Sequence, residues 1–537
     1  MILGKGDAAM KRSVWKRCSA PFFILFLVSF LLFLGCGANP TKGGGNKEPT
    51  IAIYAYYAEP VLDWDPSVEF SNGIIVMNNM YETLLRYDPE NDKFEPVLAT
   101  DYSKSPDSLS WTFKIRRGVK FHDGTDLNAD AVKYSIDRTI SLGKGAGYIW
   151  GAVKEIHVVD DYTVRFDLKY PAPLDLVASC GYAAFIVSPT AVKTHPAGWL
   201  SQGNDAGSGP YMLQSFKMGQ EVVLTRFDGY WRGWEGKHYD KVVFQKIAET
   251  ATRRQMIEKG DASFTLELPY EDVNALKSNS NVAIYVGPSL QNLMLYFNMA
   301  KKPLDNKLVR QALSFAFPYQ DVVKYAGGNA SLSRGAIPVG LWGHGDGLPQ
   351  YSYDLEKAKS LLAQAGYPNG GIKLLVTYSS GDEAEKKSVE LYKSELAKIN
   401  VDLEIRAMPW ASQWELAKGD SQGRQDIFEM YWWPDIASPY SWLFNLFHSE
   451  DTPNYNFSYM KDPAFDKLID QGNESSGIDR RTATQEFITA QKMLIDQAAA
   501  IFAYDKKDVF ITNRTFKGFK DNPVYPNVVF FYDTYKE

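Results

Sequence analysis

Cysteine is scarce: the 537 residues contain three, at positions 18, 36 and 180. The first two flank an N-terminal apolar run, so the body keeps only Cys180, which excludes an internal disulfide and a structural zinc site built from cysteines. Cys180, in "DLVASCGYAAFIV", is expected to be a small buried hydrophobe. Histidine is also sparse. The six residues, His122, His157, His195, His238, His344 and His448, show no paired metal-ligand spacing, and neither a metal nor a cofactor is expected. There is no Gly-x-Ser-x-Gly elbow and no His-Glu-x-x-His helix, so the chain does not read as an enzyme. A secreted glycosidase with paired carboxylates stays open, because the separation of two acids in space cannot be read from a sequence.

Positive charge is in deficit, with 58 Lys and Arg against 64 Asp and Glu. Residues 1–35 carry five basic residues and one acid, so without them the formal charge moves from −6 to about −10. Such a body is a poor partner for nucleic acid. Long apolar runs are nearly absent as well. Pro21 to Leu34, "PFFILFLVSFLLFL", is the one candidate, and it falls short of the roughly 20 residues that a spanning helix needs. Preceded by Lys11, Arg12, Lys16 and Arg17, it reads as a secretory signal, with Met10 a more ordinary start than Met1.

What is present is a globular composition: 45% hydrophobic, 23% charged and 14% aromatic, in a chain long enough for two or three lobes. The signal ends in "FLGCGANP", which resembles a bacterial lipoprotein processing site with Cys36 as the lipidated residue. Phe33 and Leu34 depart from that pattern. Residues 36–50 then form a flexible tether, and the body sits outside the cytoplasm on a membrane surface. An uncleaved apolar anchor would place it there too.

From Ile51 onward, strand and helix patterns alternate. "SWTFKIR" puts Trp111, Phe113 and Ile115 on one face, "YTVRFDL" does the same with Val164, Phe166 and Leu168, and a helix is predicted between them over 130–140. "IKLLVTY", a helix over about 385–399 and "VDLEI" predict a parallel strand, helix, strand unit. Before it, Asp354 is placed to cap a helix that Gly366 and Pro368 stop.

Four segments carry a resemblance. They are Leu98 to Arg138, containing "RRGVKFHDGTDLNADAVKYSIDR"; Gly207 to Trp231, "GSGPYMLQSFKMGQEVVLTRFDGYW"; Tyr296 to Phe317, "YFNMAKKPLDNKLVRQALSFAF"; and Tyr353 to Gly370, "YDLEKAKSLLAQAGYPNG". In this order they resemble the large solute-binding proteins of ABC importers, the family of oligopeptide-, dipeptide- and nickel-binding proteins. Asn128, Met299, Phe317 and Pro318 depart from the usual pattern without touching the fold. The resemblance implies an α/β fold of the periplasmic-binding-protein type II, two large lobes with an additional subdomain in the first and a ligand cleft between them. The corresponding division is a signal at 1–35, tether at 36–50, first lobe at 51–95, 201–296 and 500–537, extra subdomain at 96–200, and second lobe at 297–499. It also implies a monomer that hands its ligand to ABC permease subunits.

In peptide-binding members a Trp, two residues and an Asp follow a second-lobe strand, and the aspartate pairs with the ligand's α-amino group. Trp432 and Asp435, in "MYWWPDIASPYSWLFNLF", hold that spacing after "QDIFEMY". A carboxylate in an aromatic, water-poor cleft is costly alone, and an incoming ammonium relieves the cost. Asp435 can equally cap a turn before Pro439. Trp433 and Trp410 are further pocket candidates, and Tyr57 and Trp64, after the strand "TIAIYAYY", are others. A peptide is the leading ligand. An oligosaccharide stacked on the tryptophans is the competing one.

Overall fold

An eleven-stranded sheet runs through the protein from end to end. The computed structural model describes residues 48–326, 328–419 and 423–537. The secretory run, Cys36 and nearly all of the tether lie outside these residues. Among the described residues no helix is long and apolar enough to cross a membrane.

The sheet has two halves. In the first, Ile51–Tyr56 pairs in parallel with Lys241–Lys246 and Phe264–Leu266, and the antiparallel strands Glu221–Arg226 and Tyr211–Lys217 extend the edge. In the second, Ile372–Ser379 lies parallel to Val401–Met408 on one side and Ile427–Trp432 on the other. The expected strand, helix, strand unit is present, with its helix at Glu383–Ala397. Two long strands, Val282–Phe297 and Ala500–Asn513, pair antiparallel with each other and pass from one half to the other. Their register breaks between Pro288 and Asn292, so the passage between the halves falls inside the strands.

The second half has a core of its own, in which Leu293, Leu295, Phe297, Leu374, Val376, Leu403 and Ile427 are buried together. Tyr54, Phe244 and Phe264 of the first half belong to a larger cluster that continues across the seam to Phe428, Met430 and Trp432. The fold is therefore α/β with two lobes.

A separate four-stranded antiparallel sheet carries Ser110–Ile115 and Thr163–Leu168 side by side, with Trp111, Phe113, Ile115, Val164, Phe166 and Leu168 buried. The helix Ala129–Leu142 lies between them in sequence. Asn128 accepts from the Ala131 N–H at its start, so the departure at 128 keeps a good cap. Asp354 caps Leu355–Gln364 in the same way. Lys307–Phe315 stops before Pro318, whose ring cannot continue a helix.

Residues of the first three motif segments serve the architecture. Glu82, buried, accepts from Ser208 Oγ at 2.9 Å, Tyr230 Oη at 3.0 Å and Trp231 Nε1 at 2.9 Å, which joins both ends of the second segment. A Cβ on Gly207 or Gly209 would sit 2.0 or 2.7 Å from the Met80 main chain, so only glycine fits. His122 spans Asp205 Oδ1 at 2.8 Å and the Gly209 carbonyl at 2.9 Å, so both ring nitrogens are engaged in a structural role. Arg310 donates to the carbonyls of Leu304 and Gln497, both at 2.7 Å.

Candidate functional site

The parallel strands of both lobes point their carboxyl ends at one seam, where open α/β sheets bind ligands. Tyr57 follows Ile51–Tyr56, Asp382 follows Ile372–Ser379, Trp410 follows Val401–Met408, and Trp433 to Asp435 follow Ile427–Trp432. Four predicted residues thus come together from distant parts of the chain.

The aromatic wall is closed by hydrogen bonds between the lobes. Trp410 Nε1 donates to Ser71 Oγ at 2.8 Å, Trp433 Nε1 donates to Tyr182 Oη at 3.0 Å, and Tyr455 Oη donates to the Phe70 carbonyl. Trp432 packs edge-on against Tyr455 and Phe70, with ring centroids 5.0 and 6.0 Å apart. Between them is a cavity of about 20 Å³, bounded by Phe70, Tyr182, Trp410, Trp432 and Trp433, with room for about one water. The lobes are shut.

Asp435 is 1% exposed. Its Oδ1 accepts from the Ile436 N–H at 2.8 Å, and its Oδ2 accepts from Asn445 Nδ2 at 3.2 Å and from the Tyr148 hydroxyl. The Tyr148 ring stacks on Phe444 at 4.6 Å. Cys180 donates its thiol to the Asp435 carbonyl, so this loop is gripped from the first lobe twice. Burial pushes the Asp435 carboxyl above its ordinary pKa, and the hydrogen bonds only partly offset the rise. Every donor to the side chain is neutral.

Tyr57 lies at the seam, close to Gly381 of the second lobe. Trp64 does not reach it. The loop after Tyr57 is wound around Glu69, which accepts from the main-chain N–H groups of Asp63, Ser71 and Gly73 at 2.7, 2.9 and 3.0 Å. That winding turns Trp64 inward onto Phe216, 4.8 Å between rings. The same loop presents Phe70 and Ser71 to the cleft. Sequence reasoning missed these two, and also Tyr148, Tyr182 and Tyr455, because they sit in loops or, for Tyr148, in the single-turn 3-10 helix Gly147–Trp150, where no periodicity shows. An excess of aromatics outside strands and helices was their one signal.

On the other side of Tyr431 the seam holds a second cavity, of about 90 Å³, bounded by Glu267, Tyr270, Asp382, Tyr431, Tyr504 and Lys506. Two basic residues line it: Lys506, which is paired with Glu267, and the exposed Lys507. A larger cavity of about 900 Å³, lined by Arg86, Trp231, Pro288, Phe519, Asp521 and Phe530, lies away from the strand ends. Position relative to the sheet, not size, identifies the cleft.

Two α/β lobes shut over a seam of aromatic and acidic side chains define a receptor that encloses a small solute. Comparison with known proteins narrows the class. The model of the bacterial extracellular solute-binding proteins, family 5 Middle, matches residues 93–454. The chain is 32% identical over 477 residues to the probable D,D-dipeptide-binding periplasmic protein DdpA of Escherichia coli K12, covering 86% of this chain and 90% of that one. It is 28% identical over 451 residues to the glutathione-binding protein GsiB of the same strain, covering 83% and 86%. Among solved structures, the ABC transporter-associated periplasmic binding protein DppA of Helicobacter pylori, in complex with the peptide STSA, superposes with a TM-score of 0.80 at 27% identity, covering 91% of this chain and 99% of that one. The chain belongs to family 5 of the bacterial extracellular solute-binding proteins.

Proposed function

We propose that this protein captures a peptide between its lobes, anchors the peptide's α-amino group on Asp435, and delivers it to the permease of an ABC importer. The observation that carries the reading is a fully buried carboxylate at the seam whose side-chain donors are all neutral. A ligand ammonium supplies the missing counter-charge and makes charge-assisted hydrogen bonds worth about 1.5 to 3 kcal/mol each. Trp410, Trp432, Trp433 and Tyr57 form the wall, and the Tyr148 hydroxyl gives way to the ammonium. Closure is a hinge motion about the register break at Pro288–Asn292. The names of the relatives support a peptide over a sugar, since they refer to a D,D-dipeptide, to glutathione and to a complex with the peptide STSA.

Asp435→Asn is expected to weaken free-amine peptides at least tenfold in calorimetry while leaving N-acetylated peptides unchanged. Equal affinity of the unmutated protein for free and acetylated peptides would remove the anchor. Tighter binding of an oligosaccharide panel would replace the peptide altogether. We also take the mature protein to be a monomeric, non-catalytic lipoprotein attached through Cys36. Cys36→Ala should release it from membranes on fractionation, and retention would argue for the uncleaved anchor.

A further inference from the structure

The cavity beside Tyr431 is surrounded by more acidic than basic side chains. Asp382 lines it, and Glu267, Glu385, Glu429 and Asp508 lie within electrostatic reach of Asp382 or of Lys506. Against these five carboxylates stand Lys506, Arg253 and the exposed Lys507. Lys506 is committed to Glu267, with Asp508 Oδ1 4.0 Å away. Arg253 donates to the carbonyls of Ile247, Ala248 and Glu267 at 2.8 to 2.9 Å.

The surplus acids are poorly satisfied. Asp382 is 2% exposed, and its Oδ1 caps the helix Glu383–Ala397 by accepting from the N–H groups of Ala384 and Glu385, both at 2.9 Å. Its Oδ2 has no hydrogen-bond partner among the described residues. Glu429, 0% exposed, has neither oxygen hydrogen-bonded among them, although the Ser388 hydroxyl is near enough to soften its pKa shift. Asp508 Oδ2 is likewise unpartnered. Buried carboxylates are normally paired with cations or fully hydrogen-bonded. Asp382 is the unpartnered acid that lines the cavity, with Glu429 and Asp508 behind the lining, so it marks where a donor from outside the chain fits.

We propose that the ligand carries a second cationic group, the ammonium or guanidinium of a basic side chain, which seats in this cavity against Asp382 with Glu429 and Glu385 supplying the surplus negative charge. This rests on the peptide reading above and adds a residue preference to it. The geometry is suitable: the two cavities share Tyr431, and Asp435 lies three residues beyond the end of the same strand, Ile427–Trp432. A ligand carboxylate, by contrast, would face more acids than bases at Lys506. The pKa directions agree. Burial, then Glu267, pushes Asp382 up to about 7, and burial raises Glu385 and Glu429 well above the carboxylate range, which is the response of acids awaiting a counter-ion.

The test is calorimetry of the mature protein with alanine tripeptides that carry lysine, arginine, norleucine or glutamate at each position in turn. At one position lysine or arginine is expected to bind at least tenfold tighter than norleucine. The ratio should fall to within threefold in both Asp382→Asn and Glu429→Gln, while tri-alanine affinity is retained. Both variants replace a buried acid that has an unpartnered oxygen, so their ligand-free melting temperatures at neutral pH should equal or exceed that of the unmutated protein. Peptide binding without any basic preference, or a preference that survives both substitutions, overturns the cation subsite and leaves the peptide reading standing. If no peptide binds, agmatine and cadaverine decide. Binding of either that Asp382→Asn abolishes supports the subsite without the peptide reading, and no binding overturns both.

Discussion

Glu82 illustrates how a single acid can hold a fold together without touching the ligand. Its three donors come from Ser208, Tyr230 and Trp231, all buried or half-buried, and burial raises its pKa despite them. Truncation would leave those donors without an acceptor. Glu82→Ala is therefore expected to cost about 3 kcal/mol in denaturant unfolding, and Glu82→Gln less, because the amide oxygen still accepts. A cost below about 1 kcal/mol for Glu82→Ala would show that water replaces the carboxylate. Asp435 differs in kind. Both residues accept three hydrogen bonds, but Asp435 does so at the seam between lobes, where the loss of its charge should appear in binding rather than in folding.

At the scale of elements, the helix Glu383–Ala397 has a double use for its first residues. Asp382 caps it through one oxygen and faces the cavity with the other. Asparagine preserves the cap and removes the charge, whereas alanine removes both. Asp382→Asn should therefore be more stable than Asp382→Ala by about 1 kcal/mol, read by thermal unfolding of the ligand-free proteins. The reverse order would mean that the cap is not formed. The periodic elements are legible in the amino-acid sequence alone. Ser110–Ile115, Thr163–Leu168, Leu355–Gln364 and the unit from Ile372 to Met408 each declare themselves within a few residues, because side-chain periodicity and capping are local. The cleft is legible only where a strand's end carries an unusual motif, as at Trp432 to Asp435. Tyr148 and Asp435 are 287 positions apart, and no local pattern links them. The acids of "SGDEAEK" look like an ordinary solvated first turn, yet Asp382 and Glu385 are buried in the fold.

For the whole molecule, the accumulated buried acids fix how stability varies with pH. Burial raises Asp382, Asp508 and Glu69 to about 7 and Asp521 to about 8. The folded protein therefore holds protons that the unfolded chain has already released above about pH 4. Each such group contributes stability that is complete below its unfolded pKa and is lost as pH rises through 7 or 8. For Asp382 the facing charges are Glu267, Glu385, Glu429, Lys506 and Arg253, and the acids outnumber the bases. His122 is buried yet held up by Asp205, and it acts in the same direction. Asp205, lowered by His122 against its own burial, opposes them only as pH falls through its depressed value. The ligand-free protein should thus melt at a higher temperature at pH 5.5 than at pH 8 in scanning calorimetry. A flat or inverted profile would mean that these acids are solvated.

The Cys180 thiol, locked against the Asp435 main chain while the lobes are shut, is the one free cysteine among the described residues. A thiol-reactive dye should therefore label the receptor only during its openings. The labelling rate becomes a native clock for how often the unliganded molecule yawns, and for how firmly each candidate cargo silences it.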